Sequence, residues 1–305
     1  MKRLLIALAA CVGLCTGAGA AQNGYKTHQQ GAPAAADRSV DADVVARPAV
    51  LDLKSYSAMV VRQDDGRPLF AKNMDAVVPI ASITKLMTAM VVLDSQLPLA
   101  ESITISTADM DEIKGTRSRL KVGTRLARGE LLRLALMASE NRAAAALARA
   151  YPGGTRAFVA AMNHKAMDLG MYRSRFFDGT GLSSDNVSTA RDLAAMVKGA
   201  YDYPLIREYT TQPAYAVKLA DGRILQYRNS NGLVRNPEWD IGLSKTGYIS
   251  EAGRCLVMQT VISATPVIIV LLDSWGRLTR IGDATRIRKW IEGRGLRQAA
   301  GRPES

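Results

Sequence analysis

The sequence predicts an α/β protein of the α+β type, with one antiparallel sheet built from both chain ends and flanked by helices. Strand-like runs open and close the folded region, whereas the residues between them follow helical periodicity. Turns of a few residues join the last strands, and such short connections make neighbouring strands antiparallel. One sheet with helices inserted between its two halves is the simplest arrangement that meets these conditions.

The first fifty residues predict export. Residues 1–20 have a basic start, an apolar run and small residues at 18–20, which is the pattern of a secretory signal peptide. A transmembrane anchor is one alternative, but the apolar run is shorter than a bilayer requires. A lipoprotein box ending at Cys11 is another, but little apolar sequence precedes it, so we expect a cleaved signal peptide. Residues 21–50 are rich in Ala, Gly, Gln and Pro and predict a flexible linker.

The folded region is expected at residues 51–293, followed by a polar tail at 294–305. Its first two strands, 56–62 and 68–71, surround a Gln-Asp-Asp-Gly turn signal. Helical patterns then predict helices at 80–93, 129–137, 142–150 and 155–170, and a further helix that starts at Thr189. Three strands at 239–248, 254–262 and 266–273, and a helix at 283–292, complete the order. We expect Thr155 to cap the fourth of these helices.

Net charge favours anionic partners. The formal charge of the chain is +12, and removing Lys2 and Arg3 with the signal peptide lowers it to +10. After export, carboxylates of a wall polymer or anionic lipid heads are better candidates than nucleic acid. Simple solubility explains the same charge equally well. The polar residues 294–305 show no apolar face, so no stable membrane anchor is expected.

Scarce histidine and cysteine exclude several chemistries. A Ser-His-Asp triad would need His164, since His28 lies in the linker, and His164 is expected on a helix surface. A zinc site needs more His or Cys ligands than the exported chain supplies. Its single cysteine, Cys255, lies in an apolar run and is expected in the core. No nucleotide-binding glycine pattern occurs, so we expect neither cofactor nor metal.

The first motif that indicates chemistry is Ser82-Ile83-Thr84-Lys85. Positions three apart share a helix face, so Lys85 would lie beside the Ser82 hydroxyl. Apolar surroundings disfavour the ammonium form of a lysine and lower its pKa, which suits it to act as a base. A second match, Ser118 to Lys121, precedes a Val-Gly-Thr loop signal, and we interpret it as unrelated to catalysis.

The second motif is Ser139-Glu140-Asn141, at the junction of two predicted helices. There its side chains could point into a cleft. Ser184-Asp185-Asn186 offers the same spacing but follows a glycine-rich loop, so we favour Ser139 and Asn141. Helix capping is the structural alternative for either segment.

The third motif, Lys245-Thr246-Gly247, lies at the end of a predicted strand. A lysine and a hydroxyl at a strand edge can bind a substrate carboxylate, and a glycine admits the substrate backbone. The next residue, Tyr248, offers a backbone N–H to an oxyanion. Each motif alone is weak, but together and in this order they predict a serine acyl-enzyme site with a lysine base.

These motifs resemble those of the low-molecular-mass penicillin-binding proteins, the serine D-alanyl-D-alanine peptidases. The likeness covers residues 51 to 293, and longer runs resemble the periplasmic D-alanyl-D-alanine endopeptidase branch in particular. Those runs are residues 82–90, 139–144, 186–193, 243–247 and 255–258. The resemblance implies a β-lactamase/D,D-peptidase-like fold and an enzyme that cleaves wall stem peptides in the periplasm. A carboxypeptidase is the alternative, and a non-catalytic wall-binding protein of the same fold is a further one.

The resemblance also implies residue roles. Ser82 would attack the D-alanyl carbonyl, Lys85 would accept its proton, Ser139 would relay a proton to the leaving amine, and Asn141 would hold Lys85 and the substrate. Substrate binding is assigned to Lys245, Thr246, Gly247, Tyr248 and Arg280, the last as a carboxylate ligand. β-Lactams would be covalent inhibitors. Efficient β-lactam hydrolysis is not expected, because no Glu-x-x-Leu-Asn segment supplies the base for deacylation.

Overall fold

The computed structural model describes residues 51–300, with side chains described as far as residue 293. The predicted signal peptide and linker lie outside the described residues, as does the end of the predicted polar tail. The strands are β1 Ser57–Arg62, β2 Pro68–Lys72, β3 Val78–Pro79, β4 Ser102–Thr104, β5 Arg125–Ala127, β6 Val187–Ser188, β7 Ala214–Lys218, β8 Ile224–Arg228, β9 Asp240–Ile249, β10 Gly253–Ile262 and β11 Thr265–Ser274. The α-helices are α1 Thr84–Asp94, α2 Arg128–Met137, α3 Asn141–Arg149, α4 Gly154–Asp168, α5 Ala190–Tyr201, α6 Pro204–Thr211 and α7 Thr279–Ala300.

A five-stranded antiparallel sheet joins the two ends of the folded region. Its strand order is β2-β1-β11-β10-β9, so the N-terminal hairpin continues the C-terminal meander through the β1–β11 pairing. The other three sheets in the described residues have two strands each. The predicted fold class is therefore confirmed, and β9, which carries the third motif, is an edge strand.

Alternation along the central strand separates two cores, one on each face of the sheet. In β11, Ile268, Val270 and Leu272 join the larger core with the helices α1 to α5, while Val267 and Ile269 face the opposite side. That opposite side is covered by α7, through apolar residues in the smaller core. Period-two alternation in a strand buried on both faces produces this division.

Helix α1 lies inside the larger core. Nine of its eleven residues are buried, including Lys85, so the predicted buried helix is confirmed. A helix that is apolar all round must be surrounded by other elements. Its position fixes the first motif rigidly between the sheet and the helical layer.

The structure differs from the sequence expectations at several boundaries. The last helix begins at Thr279 and continues to Ala300, into the residues expected to be a polar tail. Gly153, at φ +82°, occupies the N-cap of α4, so the predicted cap at Thr155 is wrong. The helix α6 and the β7–β8 hairpin were not predicted. Within residues 51–300, no helix combines the length and apolar character needed to cross a bilayer.

Candidate active site

A strained turn holds Ser82 at the start of α1. Residues 81–83 form a 3-10 turn, and Ala81 has φ +47°, a conformation that non-glycine residues rarely adopt. Two glycines enclose this turn. A Cβ on Gly181 would lie 2.0 Å from the Ala81 carbonyl oxygen, and one on Gly247 would lie 2.8 Å from the Ile80 carbonyl oxygen. Both positions therefore require glycine, and the surrounding backbone fixes the direction of the Ser82 side chain.

Lys85 lies one turn further along and is fully buried. Its Nζ is 2.8 Å from Ser82 Oγ, 2.8 Å from Asn141 Oδ1 and 2.5 Å from the Thr180 carbonyl oxygen. Two of these partners can only accept a hydrogen bond, whereas the serine hydroxyl can also donate. A neutral amine fits this geometry, because it donates two hydrogen bonds and presents its lone pair to the Ser82 hydroxyl.

Burial lowers the pKa of Lys85 to about 7. Removal from water disfavours the ammonium, and this effect outweighs the opposing attraction of Asp178, Glu140 and Asp111. Near neutral pH, a large share of the molecules therefore carry the neutral amine that a general base requires.

The second motif occupies the junction between α2 and α3, as the sequence predicted. Ser139 has φ +60°, and Asn141 is the first residue of α3. Between them, the Glu140 side chain caps α3 by accepting a hydrogen bond from the Arg142 backbone N–H. This tight connection directs both flanking side chains into the cleft, where Asn141 meets Lys85 and Ser139 meets Lys245.

Lys245 and Thr246 face the cleft from β9. Lys245 is 1% exposed, and its Nζ donates to Ser139 Oγ at 2.9 Å. Burial lowers the pKa of Lys245 well below its ordinary value, and the nearby cations Lys85 and Arg280 lower it further. Thr246 Oγ1 donates to Ser230 Oγ at 2.8 Å. An anion in the cleft would favour the ammonium form of Lys245 by attraction.

One cavity of about 280 Å³ brings the three motifs together. It is lined by Ser82, Ser139, Asn141, Ser230, Thr246, Gly247, Tyr248 and Arg280. The Arg280 side chain extends from the start of α7, and its buried Nε and Nη1 have no hydrogen-bond partner among the described residues. A buried guanidinium with unsatisfied donors at the edge of a cavity is suited to bind a carboxylate.

The alternative residues lie elsewhere. Ser118 bonds only within its own loop, through Leu120, and Lys121 is exposed. The His164 side chain is 80% exposed on α4, and Cys255 is fully buried, with a pKa raised to about 11 by burial. Neither geometry provides an activated nucleophile or a base.

Asn186 is fully buried, and its side chain forms hydrogen bonds with backbone groups of the neighbouring loop. Its Oδ1 accepts from the backbone N–H groups of Phe177 and Asp178, and its Nδ2 donates to Thr84 Oγ1 and to the Asp178 carbonyl oxygen. It therefore supports the segment that contains Thr180 without facing the cavity.

Sequence reasoning missed several polar groups at the site. The Thr180 carbonyl is positioned by Asp178, whose carboxylate accepts from Thr180, Gly181 and Ser183. The Asp-Gly-Thr-Gly run at 178–181 is the signal that the sequence offers for this carbonyl, and by itself it predicts only a loop. Ser230 and Thr116 carried no signal, because their roles depend on contacts between distant segments. Within residues 51–300, no cluster of His, Cys, Asp and Glu is arranged to hold a metal ion.

Comparison with known proteins gives a family match over most of the folded region. The family model described as D-alanyl-D-alanine carboxypeptidase matches residues 42–276. A D-alanyl-D-alanine endopeptidase of Pseudomonas aeruginosa is 51% identical over 79% of this chain and 78% of its own length. The D-alanyl-D-alanine endopeptidase of Escherichia coli is 46% identical over 86% of this chain and 84% of its own length.

Solved structures agree with this match. The crystal structure of a Streptomyces DD-transpeptidase has a TM-score of 0.72 and 30% identity, covering 78% of this chain and 97% of that protein. A D-alanyl-D-alanine carboxypeptidase from Mycobacterium tuberculosis has a TM-score of 0.71 and 25% identity, over 78% of this chain and 91% of its own. The shared fold is thus that of the serine DD-peptidases.

Proposed function

Because the chain belongs to the D-alanyl-D-alanine carboxypeptidase family of serine peptidases, we propose that it is a D-alanyl-D-alanine endopeptidase acting on cross-links between wall stem peptides. The observation that carries the proposal is the buried Lys85 amine, 2.8 Å from Ser82 Oγ and with a pKa lowered to about 7. A serine needs such a base to become nucleophilic.

In the proposed acylation, Ser82 Oγ attacks the carbonyl carbon of the D-alanyl bond and Lys85 Nζ takes the hydroxyl proton. The amide C–N bond breaks, and Ser139 Oγ hands a proton to the leaving amine. Ser139 can recover that proton from Lys245, which already donates to it at 2.9 Å. A water molecule then attacks the ester carbonyl carbon, and the bond from that carbon to Ser82 Oγ breaks. Lys85 returns its proton to Ser82 Oγ, and the proton lost by the water restores Lys245 through Ser139.

We assign the stabilisation of the negative charge that develops on the carbonyl oxygen to two backbone donors, the N–H groups of Ser82 and Tyr248. Close packing of Gly247 against the turn before Ser82 supports this role, because it places the two segments side by side. Preorganised N–H donors in an enclosed site contribute strongly to acyl transfer.

Recognition of the leaving group is assigned to Lys245, Thr246 and Arg280. In a leaving residue that is linked through its α-amino group, the carbon next to the cleaved nitrogen carries a carboxylate. The unsatisfied Nε and Nη1 of Arg280 support binding of that carboxylate, together with the Thr246 hydroxyl. Gly247 leaves space for the substrate backbone.

The same reasoning extends to location and inhibition. Residues 1–20 as a cleaved signal peptide, 21–50 as a linker and 51–293 as the catalytic domain would make this a periplasmic enzyme. β-Lactams are proposed as covalent inhibitors that acylate Ser82. No role for nucleic acid or for a cofactor is proposed.

A carboxypeptidase that removes terminal D-alanine is the second candidate, and the name of the family model favours it. The endopeptidase is preferred because relatives with that name are 51% and 46% identical, whereas a carboxypeptidase relative from Streptomyces is 32% identical. A non-catalytic wall-binding protein is disfavoured by the geometry of Lys85.

Product analysis separates these functions. Purified protein is incubated with a cross-linked stem-peptide dimer and, separately, with a free pentapeptide, and the products are identified by mass spectrometry. The endopeptidase proposal predicts monomers from the dimer with little D-alanine from the pentapeptide. Release of D-alanine alone would establish the carboxypeptidase, and no product from either substrate would leave only wall binding.

A further inference from the structure

A hydrogen-bonded chain connects an exposed loop to the base Lys85. Asn141 accepts from Lys85 through Oδ1 and donates through Nδ2 to Thr116 Oγ1 at 3.0 Å. Thr116 Oγ1 donates in turn to Asp111 Oδ2 at 2.6 Å, and the Thr116 backbone N–H donates to the same oxygen at 2.8 Å. The chain Asp111–Thr116–Asn141–Lys85 thus joins residues far apart in sequence.

This hydrogen-bonded chain fixes which end of the Asn141 amide faces Lys85. A carboxylate only accepts hydrogen bonds, so Asp111 commits the single Thr116 hydroxyl hydrogen to itself. Thr116 Oγ1 can then only accept from Asn141, which requires Nδ2 on that side and leaves Oδ1 facing Lys85. Without this constraint the amide could turn and present its NH₂ group to the lysine.

The loop is also anchored on the far side of the cleft. Residues 111–119 form neither helix nor strand, and Asp111 organises them by accepting from the N–H groups of Ile113 and Lys114. An ion pair between Lys114 and Glu251 ties the loop to the β9–β10 turn. The loop therefore spans from the Asn141 side to the strand that carries Lys245.

We propose that Thr116 is a positioning residue for this reaction. Its hydroxyl fixes the orientation of the Asn141 amide, which in turn orients Lys85, and Asp111 holds that hydroxyl so that its oxygen accepts from Asn141. The inference rests on the proposed function for the roles of Lys85 and Asn141. It assigns a part in the reaction to a loop that carries none of the three motifs.

The test is the acylation rate with benzylpenicillin as a function of pH for Thr116→Val, Thr116→Ser and the control Ser118→Ala. Valine keeps the shape of threonine but removes the hydroxyl, so we expect the second-order rate constant to fall about tenfold. Thr116→Ser restores the hydroxyl and should remain close to wild type, as should Ser118→Ala, whose hydroxyl contacts only its own loop.

The pH profile supplies a second measurement. Lys85 is faced by the carboxylates of Asp178, Glu140 and Asp111, by the cation Lys245 and by the Asn141 amide. Loss of a correctly directed Asn141 Oδ1 removes an acceptor that favours the Lys85 ammonium, and this lowers the pKa of Lys85. The rising limb of the acylation rate against pH should therefore move to lower pH in Thr116→Val.

Equal rates and equal profiles in wild type and Thr116→Val would overturn the inference, as would a Thr116→Ser variant as slow as Thr116→Val. Failure of the proposed function gives a different result, because the wild-type protein itself would then not react with benzylpenicillin.

Discussion

Two segments of this chain have the same Ser-x-x-Lys spacing and entirely different surroundings. Lys85 is fully buried in α1 with three hydrogen-bond partners, one of them Ser82. Lys121 is exposed, and the Ser118 hydroxyl interacts only with Leu120. Desolvation lowers the pKa of a buried lysine, so the surroundings rather than the spacing make Lys85 a candidate base.

The two Ser-x-Asn segments teach the complementary point. Asn186 is the more deeply buried of the two asparagines, yet its four hydrogen bonds serve to hold loop backbone and Thr84. Asn141 is only partly buried and places its amide between Lys85 and Thr116. Burial alone therefore does not mark a functional group, since the atoms that a polar group faces decide its role.

The largest expected effect separates Ser82 from Ser118. Replacing Ser82 with Ala removes the nucleophile, and we expect acylation to fall by about 10⁶-fold, below detection with fluorescent penicillin. The Ser118→Ala variant should label like wild type. Labelling that persists in Ser82→Ala, with a modified peptide that maps to Ser118, would reverse the assignment of the two segments.

The second effect concerns the lysines of the same segments. Lys85→Met keeps an apolar chain in the core but removes the base, so the acylation rate should fall by about 10³-fold. Lys121→Met should change it by less than about twofold, because exposed substitutions outside a site have small effects. Stopped-flow measurement with a chromogenic cephalosporin gives both rates, and comparable losses in the two variants would contradict the account.

A smaller effect, split between activity and stability, distinguishes the asparagines. Asn141→Ala should lower acylation by about 100-fold, as for loss of a preorganised polar group in an active site, with little change in Tm. Asn186→Ala leaves buried backbone groups unsatisfied and should cost about 3 kcal/mol of folding free energy. Thermal unfolding and acylation are measured on both variants, and an unchanged Tm in Asn186→Ala would contradict its structural role.

Much of the architecture could be predicted from patterns within single segments. The strands β9, β10 and β11 are runs of strand-forming residues joined by short turns, so their antiparallel order followed from the sequence. The burial of α1 followed from a long apolar run. In contrast, α6 and the β7–β8 hairpin carry weaker patterns, and six of the ten residues in the two hairpin strands are exposed.

The site was predictable only where a motif carries it. Asn141 and Lys245 belong to recognisable motifs, but the Thr180 carbonyl, the Ser230 hydroxyl and the Thr116 hydroxyl do not. Those three groups act through positions that the fold brings together across long sequence separations. A backbone carbonyl, moreover, is present at every residue, so its identity cannot reveal that it accepts from Lys85.

The most direct measurement is the titration of the Lys85 side chain in the folded protein, followed by NMR of lysine labelled with ¹³C at the ε-carbon and assigned by loss of the signal in Lys85→Met. We expect Lys85 to titrate near pH 7, far below the ordinary value of 10.5, because the buried ammonium lacks solvation. Its neutral form then accumulates, and acylation accelerates, as the pH rises through 7. Titration of Lys85 near pH 10.5, with an acylation rate that does not change through pH 7, would contradict the role of Lys85 as the base.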